Sequence, residues 1–149
     1  MLKQKYFLTD FFILSAEKQP IKLSWRNIEW LHSEPHFFSE CGKNYVKCGT
    51  LQIYQKLYEK ANGDLNTFFE EADRLPGVRS EIIEEDSIYH LYFMECTCMF
   101  YQQAYVSTPL LCECSKQSIL YILHSLWKDK KFSVSICESI LRGSPYCKM

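Results

Sequence analysis

The chain has 149 residues, with 17 Lys plus Arg against 18 Asp plus Glu, so it is close to electroneutral. Such totals imply no strongly basic face and exclude nucleic acid as an obvious partner, while the length suits one domain with one core. Ten Tyr, ten Phe and three Trp supply apolar area for that core and argue against disorder.

Residues 1–16 carry Lys3 and Lys5 before an apolar run, which superficially resembles a secretory signal. Asp10 interrupts the run and no small-x-small site precedes Glu17, so a buried or half-buried first helix is the better reading. No other segment approaches the roughly 20 apolar residues of a membrane span. The expectation is a soluble, cytoplasmic protein with no membrane partner.

Residues 24–31 and 33–47 read as short helices, each opened by a serine, with Pro35 where a first turn tolerates it. Leu51, Tyr54, Leu57, Tyr58 and Ala61 then fall at helical spacing until Asn62-Gly63. Asp64 caps a further helix whose stripe is Leu65, Phe68, Phe69, Ala72 and Leu75, ended by Pro76-Gly77. At Val78 the period changes. Residues 78–85 and 88–95 are β-rich and meet at Asp86-Ser87, which predicts an antiparallel hairpin, its second strand apolar enough to be buried on both faces.

An irregular stretch follows. Ser115 is then the candidate cap of a long helix over 116–128, with Ile119, Ile122, Leu123, Leu126 and Trp127 inward. Phe132, Val134 and Ile136 alternate with serines, predicting a strand over 132–141, and after Arg142-Gly143-Ser144-Pro145 a very short last strand occupies 146–149. Helices followed by a small, mostly antiparallel sheet with one long helix packed on it make a single-domain α+β fold. The expected core includes Trp127, Phe93, Leu91, Phe68 and Ile136.

Eight cysteines stand out: Cys41, Cys48, Cys96, Cys98, Cys112, Cys114, Cys137 and Cys147. A reducing compartment disfavours structural disulfides, which leaves metal binding, redox chemistry or plain burial; export would replace this with a disulfide framework. Cys96-x-Cys98 and Cys112-x-Cys114, thirteen residues apart, are the principal candidates for a metal- or ligand-binding site. Four such thiolates suit a zinc ion or an iron–sulfur cluster, although closed zinc sites more often use Cys-x-x-Cys. Cys112 and Cys114 also precede the expected start of the long helix, where the helix dipole favours a thiolate. Cys41 and Cys48, seven apart, would share a helix face and are additional candidates, with core filling as the alternative. His32 and His36 have i, i+4 spacing, but Pro35 argues against one continuous helix between them. His90 and His124 read as core histidines unless a thiol lies beside one.

The run from Cys41-Gly42 through Cys96-x-Cys98, Leu111-Cys112-x-Cys114-Ser115 and Cys137-Glu-Ser-Ile-Leu-Arg-Gly-Ser-Pro-Tyr-Cys147 resembles an uncharacterised, cysteine-rich bacterial and archaeal family. That family is distantly similar to four-vinyl reductase ligand-binding domains and to L-2-amino-thiazoline-4-carboxylic acid hydrolase-like proteins. The resemblance covers roughly residue 41 to the carboxyl terminus. It implies an α+β domain whose cysteine segments meet near one end of a sheet in a small-molecule or metal site, and no particular activity. Cys41 and Cys48 are more widely spaced than the family's Cys-Gly-x-x-Cys. Arg142, beside Gly143, is a further candidate because it can reach an anion, though a turn alone explains the pair.

Three functions are expected from these features. The leading one is a non-catalytic sensor or binding domain holding a metal ion or small ligand through clustered thiolates. The second is a small thiol-dependent hydrolase with Cys112 or Cys114 as nucleophile, acting on an amide-like or thiazoline substrate. The third is an interaction domain with inert thiols. Oligomeric state is not legible.

Overall fold

A computed structural model describes residues 36–103 and 108–149. The expected helices over 1–16 and 24–31, and His32, lie outside the described residues. His36 stands at the N-cap position of the first described helix, α1 (Phe37–Tyr45), with no side-chain hydrogen bond to it. A π-helical turn, Val46–Thr50, joins it to α2 (Leu51–Lys60), and its ladder is broken at Cys48 and Gly49, whose φ is 122°. The helix expected over 33–47 ends at Tyr45, and Cys48 stands at the break that follows, exposed, whereas Cys41 is half-buried within α1.

Asn62 and Gly63, both in the left-handed region, stop the chain after α2. A side chain at Gly63 would begin 3.1 Å from the Tyr58 hydroxyl, so this stop tolerates little but glycine. Asp64 then accepts from the Thr67 N–H and opens α3 (Leu65–Ala72), as its spacing predicts. The hairpin follows as β1 (Val78–Glu84) and β2 (Ile88–Phe93), paired antiparallel from Val78 with Phe93 to Glu84 with Ile88. Beyond a short helix, α4 (Met99–Gln102), lies the long helix α5 (Cys112–Leu126). A two-residue strand, β3 (Cys147–Lys148), pairs with Tyr92 and Phe93 and completes a three-stranded antiparallel sheet in the order β1-β2-β3. The fold is α+β. No helix among the described residues is long and apolar enough to cross a membrane.

Three boundaries differ from expectation. First, α5 begins at Cys112 and not at Lys116. Thr108 caps a 3₁₀ turn, Pro109–Leu111, which runs directly into the helix, so Ser115 lies inside the first turns. Second, residues 132–137 form no strand. They alternate between half-buried and exposed, as their pattern requires, but only Glu138 makes a bridge, to Lys148, and a 3₁₀ turn, Ile140–Arg142, follows. Third, β2 is not buried on both faces: Ile88 is 46 % exposed and Leu91 alone is fully buried, because the helices cover one side of this small sheet.

The core lies between α2, α3, α5 and the hairpin. Trp127, just past α5 and 3 % exposed, meets the rings of Tyr58 and Phe68 edge-on at 4.8 and 5.0 Å, and its indole N–H donates to the Gly63 carbonyl at 2.8 Å. Phe69 stacks on Tyr89 of β2 at 4.1 Å and so ties α3 to the sheet. Leu91 and Phe68 are buried as expected, whereas Phe93 and Ile136 are half-buried.

Candidate functional site

Cysteines from four separate segments act on one another by contact or by charge. Cys41 comes from α1, Cys96 and Cys98 from the loop after β2, Cys112 and Cys114 from the first turn of α5, and Cys147 from β3. All eight cysteines of the chain are thiols.

The tightest contact joins the two helices. Cys114 donates its S–H to the Cys41 sulfur at an Sγ–Sγ distance of 3.0 Å. What permits this approach is Gly42: a Cβ there would stand 2.8 Å from the Ser118 nitrogen and 2.9 Å from the Cys114 carbonyl, so α1 and α5 touch backbone to backbone. Ser118 reinforces the crossing by donating to the Cys114 carbonyl at 2.9 Å and to the Gly42 carbonyl at 3.3 Å. The donated hydrogen bond holds the Cys41 thiol below its ordinary pKa against the opposing effect of burial. The same bond, together with burial, keeps Cys114 protonated far above the ordinary range. Of the two thiols, Cys41 is therefore the first to ionise, with Cys114 keeping its proton.

The second group forms around the start of α5 and the last strand. Cys112 is buried and lies 2.9 Å from the hydroxyl of Ser139, which is itself fully buried and accepts from the Leu141 N–H. Burial pushes the Cys112 thiol up, and the Ser139 hydrogen bond and the Arg142 cation only partly oppose this. Cys96 is also raised, first by burial, while the Cys98 backbone N–H bonded to its sulfur acts the other way. The Cys147 sulfur accepts from the Ile140 N–H at 3.5 Å.

Electrostatic coupling links the two groups. The charges of Cys96 and Cys147 act on Cys112, those of Cys98 and Cys147 on Cys96, and that of Cys98 on Cys114. The loop carrying Cys96 and Cys98 is pinned by α4, whose Tyr101 and Gln102 N–H groups donate to the Cys98 carbonyl, while the Gln102 side chain donates to the Cys96 carbonyl.

Electrostatic interaction thus runs among Cys96, Cys98, Cys112 and Cys114, with Cys41 in direct contact with Cys114, and the Arg142 cation acts on Cys112. Cys48 is exposed and donates to the Asn44 carbonyl one turn back; Cys137 is exposed as well. Cys147 and Ser139 are neighbours of the cluster that close cysteine spacing does not single out. Beyond its place in the carboxyl-terminal segment of the resemblance, Cys147 has a signal in the register of a two-residue strand, which places it opposite Phe93 and hence near the Cys96 loop. Ser139 has one as the cap of the final 3₁₀ turn, where its side chain accepts from Leu141.

The donor chemistry suits a soft metal, but the arrangement does not yet form a metal site: among the described residues, no group of three or more His, Cys, Asp or Glu is placed to hold an ion. His90 faces Glu81 at 3.4 Å on the hairpin, and His124 lies against the Phe132 ring, so each has a partner other than a thiol. No family model, curated protein or solved structure matches this chain.

Proposed function

We propose that this chain is a non-catalytic binding domain that takes a soft, thiophilic ligand, a metal ion or a small molecule, through its cysteine cluster. The observation that carries the reading is the coupling of six thiols drawn from four segments, two of them on the first turn of α5. Six cysteines placed only to fill a core have no reason to collect at one site, since any small apolar side chain fills such space as well. Raised thiol pKa values at Cys96, Cys112 and Cys114 favour binding over nucleophilic catalysis: these groups stay protonated until a ligand displaces the proton. A zinc ion or an iron–sulfur cluster would require the cluster to tighten, because sulfur ligands approach zinc to about 2.3 Å. The resemblance of the Leu-Cys-x-Cys-Ser and Arg-Gly segments to a cysteine-rich family with a small-molecule or metal site supports the same reading.

Elemental analysis and a thiol count on protein purified without added metal test this directly. A bound ion with about four protected thiols is expected for the metal form, and protection by a co-purified small molecule for the other. Replacing Cys112 and Cys114 with serine removes the uptake and leaves the far-ultraviolet circular dichroism unchanged. Eight reactive thiols with nothing bound, before and after incubation with zinc, would sink the reading.

A further inference from the structure

Within the cluster one pair has chemistry of its own that does not depend on a bound ligand. Cys41 and Cys114 are 73 positions apart in the chain, yet their sulfurs are 3.0 Å apart, on helices whose backbones touch at Gly42 and Ser118. A disulfide has an S–S distance of about 2.05 Å, so closing one here asks for a shift of about 1 Å, within the reach of side-chain torsion. Cys41 is only partly buried and so can meet a small molecule. We propose that Cys41 and Cys114 are a redox pair, in which a small hydroperoxide oxidises Cys41 and Cys114 resolves the product as an intramolecular disulfide.

The steps balance as follows. The Cys41 thiolate attacks the outer oxygen of the hydroperoxide; an S–O bond forms and the O–O bond breaks. The departing alkoxide takes a proton from water and leaves as the alcohol. The Cys41 sulfur has given up two electrons and is now a sulfenic acid, and the peroxide has been reduced. Cys114 then attacks the Cys41 sulfur; the S–S bond forms, the S–O bond breaks, and the Cys114 proton leaves with the hydroxyl as water. The contact between the two thiols supports the second step, because it already aims the Cys114 sulfur at the atom to be attacked. Gly42 holds the helices at this separation. The exposed thiols of Cys48 and Cys137 lack such a thiol donor, with the Asn44 and Ser135 carbonyls as their hydrogen-bond partners.

The test uses the full chain, reduced, stripped of metal with a chelator and desalted, then treated with cumene hydroperoxide at slight molar excess. Remaining thiols are blocked with N-ethylmaleimide and the protein is digested without reduction. A peptide linking Cys41 to Cys114 is expected as the dominant product. In Cys114→Ser the linked peptide is lost and dimedone traps a sulfenic acid on Cys41, whereas in Cys41→Ser neither product forms. If a variant fails to fold, the wild-type linkage map decides. A map dominated by any other linkage, or by oxidised Cys48 and Cys137 with this pair still reduced, overturns the proposal. Because the sample is metal-free, neither result depends on whether the cluster binds a ligand.

Discussion

Thiols of one type in one chain are driven apart in reactivity by what each sulfur touches. Cys41 accepts a hydrogen bond from Cys114 and is lowered; Cys112 is enclosed with Ser139 and raised; Cys96 is raised chiefly by burial. A lowered pKa means that thiolate appears at lower pH, so iodoacetamide labelling followed site by site should rise for Cys41 below pH 9.0, the ordinary thiol value, and for Cys112 and Cys96 above it. Removing the donor with Cys114→Ala should move the Cys41 profile back toward higher pH. Identical profiles at Cys41 and Cys112 would mean that the hydrogen bond does not form. Spacing made Cys112 and Cys114 visible as candidates, but no local signal pairs Cys114 with Cys41, because their contact is made by two helices crossing.

Among the elements, the crossing of α1 on α5 depends on a single missing side chain. Alanine at Gly42 would place its Cβ 2.8 Å from the Ser118 nitrogen and 2.9 Å from the Cys114 carbonyl, both backbone atoms that cannot swing aside. Overpacking of this kind costs about 1–3 kcal/mol, and urea denaturation of Gly42→Ala should show a loss of that size together with a slower Cys41–Cys114 linkage on oxidation. A stability equal to wild type would show that the helices separate freely. The same level explains two misread boundaries. Thr108 and Pro109 open a 3₁₀ turn that feeds α5, which hides the helix start four residues before Lys116. Residues 132–137 keep a two-residue alternation because Phe132 and Val134 pack on the core, yet they gain no partner strand over that length.

For the molecule as a whole, Trp127 is the keystone of the packing. Its ring meets Tyr58 from α2, Phe68 from α3 and Phe132 from the extended segment, and its N–H binds the Gly63 carbonyl between α2 and α3. Trp127→Ala removes all of these contacts at once and should lower stability by roughly 3–5 kcal/mol, measured by chemical denaturation. A loss below about 1 kcal/mol would mean that the surrounding rings close over the gap or that α5 is not anchored there. Because this anchor lies at the far end of α5 from Cys112, the substitution should leave the relative labelling order of the cysteines unchanged in the protein that remains folded.

Periodicity and capping chemistry are local, and by themselves they determined the helices over 51–60 and 65–72, the Asn62-Gly63 stop, the hairpin, and hence the α+β class. Each of these depends on residues within a turn or two of one another, where spacing and φ preference act directly. Tertiary structure alone decided which cysteines meet. The Cys41–Cys114 contact needs the Gly42 crossing, the place of Cys147 beside the cluster needs the register of β3 on β2, and the Ser139–Cys112 bond needs the last turn to fold back against α5. Contacts between positions 27 and 73 residues apart are set by packing of whole elements, and no pattern along the chain encodes that geometry.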